Sequence, residues 1–463
     1  MKQVMECGED RVCNRAMKRK YRIIMLLVCA LMLGGCKRQN TEEAVAETQN
    51  NNVLDAKGTM ESKETFTQKE AYRKDLEELF QVTEDTHPEF ILNDIPEQYE
   101  EKKQEILSAV TDETTDEEFA FMVQRYLTLL RDGHSRASNE NFPSCVDVHC
   151  TAVGEHLYLL NEENEITADE VLAVEGVTVK ELFEVVDEYF TAENEAAKDV
   201  NHTNWAVSKT ILKLAGCDVT KEQMEVTLKC AEKTETKMMG FTNKNIYSCY
   251  DTLYDVTSKM IEDSIYYIDM NVCNVNAALD RQVKELQQVI DGGVKKIIID
   301  VRDNPGGNSD APLAFLEAMD MKAPSYGCFI RYSKLAKENY SSYPSTGSDN
   351  YEPDVSSAKK NPDIQLVVLT NENTYSSATM LASWVKDGHL GTVIGRTSSN
   401  APSSYGDILY YTLTNSNITF TLSHKRFLRA DQNADPKSVT PDIETDYSED
   451  ILSVAVEYLK SLE

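Results

Sequence analysis

Lys296-Ile-Ile-Ile-Asp-Val-Arg-Asp-Asn-Pro-Gly-Gly-Asn308 and Leu366-Val-Val-Leu-Thr370, which runs on to Thr374-Tyr-Ser-Ser-Ala378, share one design. Each is a short apolar run followed at once by small or turn-forming residues and a helical pattern. Such runs are expected for strands buried on both faces, as in a parallel sheet. The carboxyl ends of parallel strands lie side by side, and sites form there. The first strand delivers a glycine turn with free backbone N–H groups, the second a serine at a helix start. Together these are the parts of an oxyanion hole and a nucleophile.

Working outward, the pattern predicts a strand over 265–270, a helix over 276–290 stopped by Gly292-Gly293, and helices over 311–319 and 376–386. A strand over 392–395 follows. Strands alternating with helices imply a parallel sheet with right-handed crossovers. Residues 408–413 and 418–423, joined through Thr414-Asn-Ser-Asn417, predict a hairpin, and a helix over 449–460 closes the chain. Residues 321–363 are too long for a simple connection and read as a lid or binding loop. The expected class is α/β and multi-domain, with residues 258–463 as its core.

Upstream, Thr67-Gln-Lys-Glu70 and Thr115-Asp-Glu-Glu118 are capping-box patterns that open helices. The first helix should stop near His87-Pro88. The second places Phe119, Met122, Val123, Tyr126, Leu127 and Leu130 on one buried stripe. It should end at Arg131-Asp-Gly-His134, with Gly133 as a left-handed cap, so that His134 sits just past a rigid element. Residues 66–140 are read as a helical domain and 141–257 as a mixed α/β segment, with a strand and turn at 171–176 and a helix over 179–190.

The N-terminus stands apart. Lys18-Arg-Lys-Tyr-Arg22 precedes an apolar stretch, 23–33, too short to span a bilayer, and together they read as a secretory signal. Leu33-Gly-Gly-Cys36 resembles the lipobox of bacterial lipoproteins, which implies that residues 1–36 are the signal and lipidation site. Cys36 would then be the lipidated first residue of an extracytoplasmic, membrane-anchored protein. Residues 37–65 are polar and aperiodic and read as a flexible tether. A length of 463 residues predicts two or three domains in all. The formal charge of −31 disfavours a nucleic-acid partner. Eleven cysteines are too sparse for a disulfide scaffold, and none has zinc-site spacing.

A serine nucleophile needs a base, oxyanion donors and an orienting acid. Of seven histidines, His389 is nearest in sequence to Ser376, but a whole helix separates them, about 20 Å at ~1.5 Å per residue. His134 is remote in sequence but ends an ordered element. Ser377 is the rival nucleophile. Arg302 and Asp303 read as an ion pair pinning the glycine turn.

Ile299-Asp-Val-Arg-Asp-Asn-Pro-Gly-Gly307, Thr374-Tyr-Ser-Ser-Ala378 and Gly395-Arg-Thr397 resemble the C-terminal-processing (tail-specific) serine peptidases. The resemblance runs from about Thr67 to the C-terminus and is thin over 141–257, a segment that faintly resembles a PDZ-like insert without a clear carboxylate-binding loop. It implies a crotonase-like core. The Ser–Lys branch of that family would need a lysine in Asn400-Ala401-Pro402, where there is none. The tricorn-like branch takes its base from an Asp-Gly-His, matched by Asp132-Gly133-His134. Its carboxylate shortly precedes a Val-x-Pro-Asp, here Val439-Thr-Pro-Asp442, which points to Asp435 where glutamate is usual. Thr379 stands where many relatives carry an acid. The resemblance therefore implies Ser376 as nucleophile, His134 as base and Asp435 as orienting acid. Ser377 with Gly306 or Gly307 would donate to the oxyanion. A polypeptide is the implied substrate, and neither metal nor cofactor is called for. The other expectation is an inactive relative that binds peptides or small molecules at the cell surface.

Overall fold

The computed structural model describes residues 66–462 except 93–94, 138–143, 163, 232, 244–253 and 263. The signal, Cys36 and the tether lie outside the described residues.

Helices α1 (Gln68–Thr86), α2 (Tyr99–Ala109) and α3 (Asp116–Thr128) come first. Both capping boxes form, Thr67 with Glu70 and Thr115 with Glu118. His87 ends α1 with ψ 132°, the extended backbone that a following proline demands. Leu76, Leu79 and Phe80 of α1 and Phe119, Val123 and Leu127 of α3 share a core with Leu413, Phe420 and Leu422 from the distant hairpin. One expectation changes at the end of α3. The left-handed residue is Arg131, φ 54°, and Gly133 has no positive φ. Gly133 is needed for close approach instead, since a Cβ there would collide with the Tyr375 hydroxyl.

The middle segment holds β1 (Ser144–Val146), β2 (Cys150–Val153), β3 (His156–Leu160), β4 (Ile166–Val174), β5 (Val177–Thr178), α4 (Val179–Tyr189), α5 (Glu195–Trp205), α6 (Lys209–Leu214), β6 (Gln223–Cys230) and β7 (Lys233–Asn243). Its antiparallel sheet runs β1-β7-β6-β4-β3-β2, with β5 beside β4. Leu182, Phe183 and Val186 of α4 pack with Val171, Val174 and Leu228 from this sheet.

The remainder comprises β8 (Val256–Ile261), β9 (Ile265–Met270), α7 (Ala277–Asp291), β10 (Lys296–Asp300), α8 (Asp310–Ala318), β11 (Gly327–Tyr332), α9 (Lys334–Asn339), β12 (Gly347–Tyr351), β13 (Gln365–Thr370), α10 (Ser377–Asp387), β14 (Thr392–Gly395), β15 (Tyr405–Thr412), β16 (Thr419–Leu428), β17 (Ile443–Glu444) and α11 (Ile451–Ser461). One sheet runs β17-β14-β13-β10-β9-β8, parallel except for the antiparallel β8–β9 pair. The apolar runs are uninterrupted because both faces are covered. Ile297, Ile299, Leu366 and Val368 join the core that includes Leu279, Phe315 and Leu381. Ile298, Val367 and Leu369 face Ile451, Ala455 and Leu459 of α11. Burying each such side chain contributes about 1.5–3 kcal/mol.

Residues 321–363 are not a featureless loop. They contain β11, α9 and β12, and β11 pairs antiparallel with β16 to give a second sheet, β12-β11-β16-β15. Polar, aromatic-rich sequence concealed these strands, and the partner of β11 lies about a hundred residues away. Asp75 of α1, fully buried, accepts hydrogen bonds from Asn415 N, Asn415 Nδ2 and Ser416 N at the β15–β16 turn, so the helices dock on this sheet. No helix among the described residues is long and apolar enough to cross a membrane.

Candidate active site

β10 and β13 are paired in register, Asp300 beside Leu369, so the loops that follow them emerge together. Asn304, fully buried, ties these loops. Its Nδ2 donates to Met270 O at 2.7 Å, its Oδ1 accepts from Gly306 N at 2.8 Å, and its carbonyl accepts from Tyr375 N at 2.9 Å. The Gly306-Gly307 turn then lies flush against the start of α10. A Cβ on Gly306 (φ 95°) would stand 2.5 Å from Ser376 Cβ and 2.9 Å from Ser377 N. The expected Arg302–Asp303 pair is replaced by another. Arg302 Nη2 pairs with Asp300 Oδ2 at 2.6 Å, while Asp303 Oδ1 accepts from Asn371 and Asn373. The two-residue spacing lets Arg302 fold back on the strand end.

Ser376 and Ser377 are distinguished by the corner they occupy. Ser376 adopts φ 53°, ψ −123°, a sparsely populated conformation of a kind stored at functional sites. A sharp strand-to-helix turn of this type thrusts a serine Oγ outward. Its backbone N–H donates to Asn400 Oδ1 at 2.9 Å, and its Oγ has no hydrogen-bond partner among the described residues. Ser377 is buried, and its Oγ donates to Gly307 O at 2.7 Å. Of the glycine N–H groups, that of Gly306 is taken by Asn304 Oδ1. Gly307 forms an isolated parallel bridge with Cys273 through the bonds Cys273 N to Gly306 O and Asn308 N to Cys273 O. That pattern leaves the Gly307 N–H out of the ladder, so Gly307 is the better donor of the two. Thr379 is buried and donates to Thr374 O at 3.2 Å, tightening the same corner.

His134 arrives from the turn after α3. Thr421 Oγ1 of β16 donates to its carbonyl at 2.6 Å, and Ser135 Oγ accepts from Ser423 N at 3.1 Å. The His134 turn is thus docked on the antiparallel sheet, not on the parallel one. The imidazole lies beside the Tyr375 ring, centroids 4.9 Å apart, and both ring nitrogens are buried without a hydrogen-bond partner. No hydrogen bond links it to Ser376. Burial pushes its pKa down, Asp132 partly restores it and Arg136 lowers it again, which favours the neutral, proton-accepting form. His389, with φ 50°, is exposed just past the far end of α10.

Two acids meet His134, and neither is Asp435. Asp132, fully buried, accepts from His134 N at 2.8 Å, and its Oδ1 lies 3.8 Å from His134 Nδ1. Burial opposes its charge, but the His87 hydrogen bond and the neighbouring His134 and Ser135 hold its carboxyl below the usual range. Glu193, between α4 and α5, is the other, and one oxygen of each acid and a ring nitrogen of His134 lie within 4.8 Å of one another. Asp435 is exposed. Its Oδ1 accepts from Lys437 N at 2.9 Å, while its carbonyl is turned inward to Arg429 Nη1 at 2.7 Å. Arg429 is itself buried against Asp387 at the end of α10, so this segment is held by its backbone with the carboxylate pointing out.

Glu193 and Asn400 were not distinguishable in the sequence as site residues. A half-buried glutamate in so acidic a chain carries no local signature. Asn400 falls in the stretch where the Ser–Lys branch would place its lysine, and its side-chain amide does contact Ser376, by accepting the backbone N–H.

Residues 264–445 match peptidase family S41. Mature CPAF complexed with lactacystin is similar in structure, with TM-score 0.56 and 14% identity, covering 85% of this chain and 97% of that one. Mature CPAF alone gives TM-score 0.56 at 13% identity, covering 85% and 96%. The photosystem II D1 C-terminal processing protease gives 0.43 at 15% identity, covering 83% and 97%. No curated protein matches the sequence.

Proposed function

We propose that this chain, whose residues 264–445 match peptidase family S41, is a serine peptidase acting through an acyl-enzyme on polypeptide substrates. The observation that carries the reading is the strained Ser376 corner, packed against the Gly306-Gly307 turn, with the buried, unpartnered His134 ring lying against the preceding residue, Tyr375. Ser376 Oγ attacks the scissile carbonyl and His134 takes its proton. The oxyanion is held by the N–H groups of Ser377 and Gly307, aided by the positive end of α10. His134 then protonates the leaving amine, and water hydrolyses the ester by the reverse route. Asp132 is the acid that faces the ring and steadies the imidazolium. Ser376 and His134 are not yet hydrogen-bonded, and such contacts tighten when substrate binds.

Fluorophosphonate labelling tests this. Wild type and Ser377→Ala should label, and Ser376→Ala should not. Labelling of Ser376→Ala would move the nucleophile, and silence of all three would favour a peptide-binding protein without catalysis. The sequence before residue 66 adds export and lipid anchoring at Cys36 to this proposal. Cys36→Ser should then release the protein from the membrane fraction, and an unchanged distribution would remove the anchor.

A further inference from the structure

Glu193 carries three hydrogen bonds that join otherwise separate parts of the site. Its Oε1 accepts from Gly133 N at 3.2 Å, next to His134. Its Oε2 accepts from Asn400 Nδ2 at 2.6 Å and from Ala401 N at 2.8 Å. Asn400 passes the constraint on, because with its Nδ2 held by a carboxylate its Oδ1 must face the other way. There it accepts the Ser376 N–H at 2.9 Å. No lysine or arginine pairs with Glu193 among the described residues, and a half-buried carboxylate without a cation is costly for stability alone.

We propose that Glu193 is a positioning residue of the peptidase site: through Asn400 and Gly133 it fixes the nucleophile's corner and the base-bearing turn in one geometry. This rests on the assignment of Ser376 and His134 above. The carboxylate form is required, since only an all-acceptor group satisfies three donors at once. A glutamine presents one amide NH₂ to a donor wherever it is placed.

The pH dependence follows from what faces Glu193: Asp132 and His134 on the base-bearing turn, and the neutral Asn400 and Ala401 after β14. Burial, then the Asp132 charge, raise its pKa to about 7 against the three hydrogen bonds. As pH falls through that value the carboxylate gains a proton and loses an acceptor, so the site loosens. His134, shifted downward, titrates below its ordinary range.

The test is the fluorophosphonate labelling rate against pH for wild type, Glu193→Gln, Asn400→Ala and the double variant, with circular dichroism confirming the fold. At pH 8 each single variant should label about 10- to 100-fold more slowly, the scale of a 1 Å misplacement. The double variant should be no slower than the slower single, because Asn400→Ala removes a link that Glu193→Gln has already lost. The wild-type rate should fall through about pH 7, and this limb should vanish in Glu193→Gln, leaving the lower limb of His134. A wild-type rate and unmoved limb in Glu193→Gln, or multiplying effects in the double variant, would overturn the proposal. A silent Ser376→Ala alongside a normal Glu193→Gln refutes the Glu193 role alone. A Ser376→Ala that still labels refutes the reading beneath it.

Discussion

Gly306→Ala separates the two uses of a glycine, because the structure contains its own control. At Gly306 the added Cβ would stand 2.5 Å from Ser376 Cβ, 2.9 Å from Ser377 N and 2.9 Å from Tyr375 O, with φ 95°. Carbon atoms in contact rest at about 3.5–4.0 Å. The turn and the serine corner must therefore part by about 1 Å. Gly176 has φ 80° but open space where its Cβ would go. Gly176→Ala therefore isolates the backbone penalty, about 1–2 kcal/mol. Gly306→Ala bears that penalty and the displacement as well, and a 1 Å shift of reacting groups can cost about 100-fold in rate, or about 2.7 kcal/mol of barrier. Both variants should fold, with lowered urea midpoints. Only Gly306→Ala should label about 100-fold more slowly with the fluorophosphonate. Labelling within threefold of wild type would refute the argument that this turn and the nucleophile corner are one packed unit.

Two further substitutions follow from the same structure. Asp75→Ala strands three donors of the β15–β16 turn. It should lower stability by about 3 kcal/mol, given about 1.5–3 kcal/mol for a hydrogen bond to a charged group and less than additive loss, seen as a lower urea midpoint at unchanged slope. Asp132→Asn should slow labelling about 100-fold or more, as loss of an orienting acid does, whereas Asp435→Asn should stay within twofold. The reverse pattern would restore Asp435 to the role its sequence position implies.

Local chemistry was legible because it is local. Capping boxes at Thr67 and Thr115 fix helix starts through contacts three residues apart, and a run such as Ile297-Ile-Ile299 needs two covered faces wherever it lies in a chain. The parallel sheet, the glycine turn and the serine corner follow from such signals, and the family resemblance of those residues agrees with the S41 match. What sequence left open depends on partners far away. Strand β11 pairs with β16, about a hundred residues on, and β12 in turn pairs with β11. Gly133 is required by Tyr375, some 240 residues on, and not by its own backbone angle. Asp435 has the right place in a motif, yet Arg429 holds its carbonyl and turns its carboxylate to solvent. The two stretches 296–308 and 366–378 thus specify the Ser376 side of the candidate site by themselves. Which acids face His134 was decided only by packing, which buries Asp132 and brings Glu193 in from the middle segment.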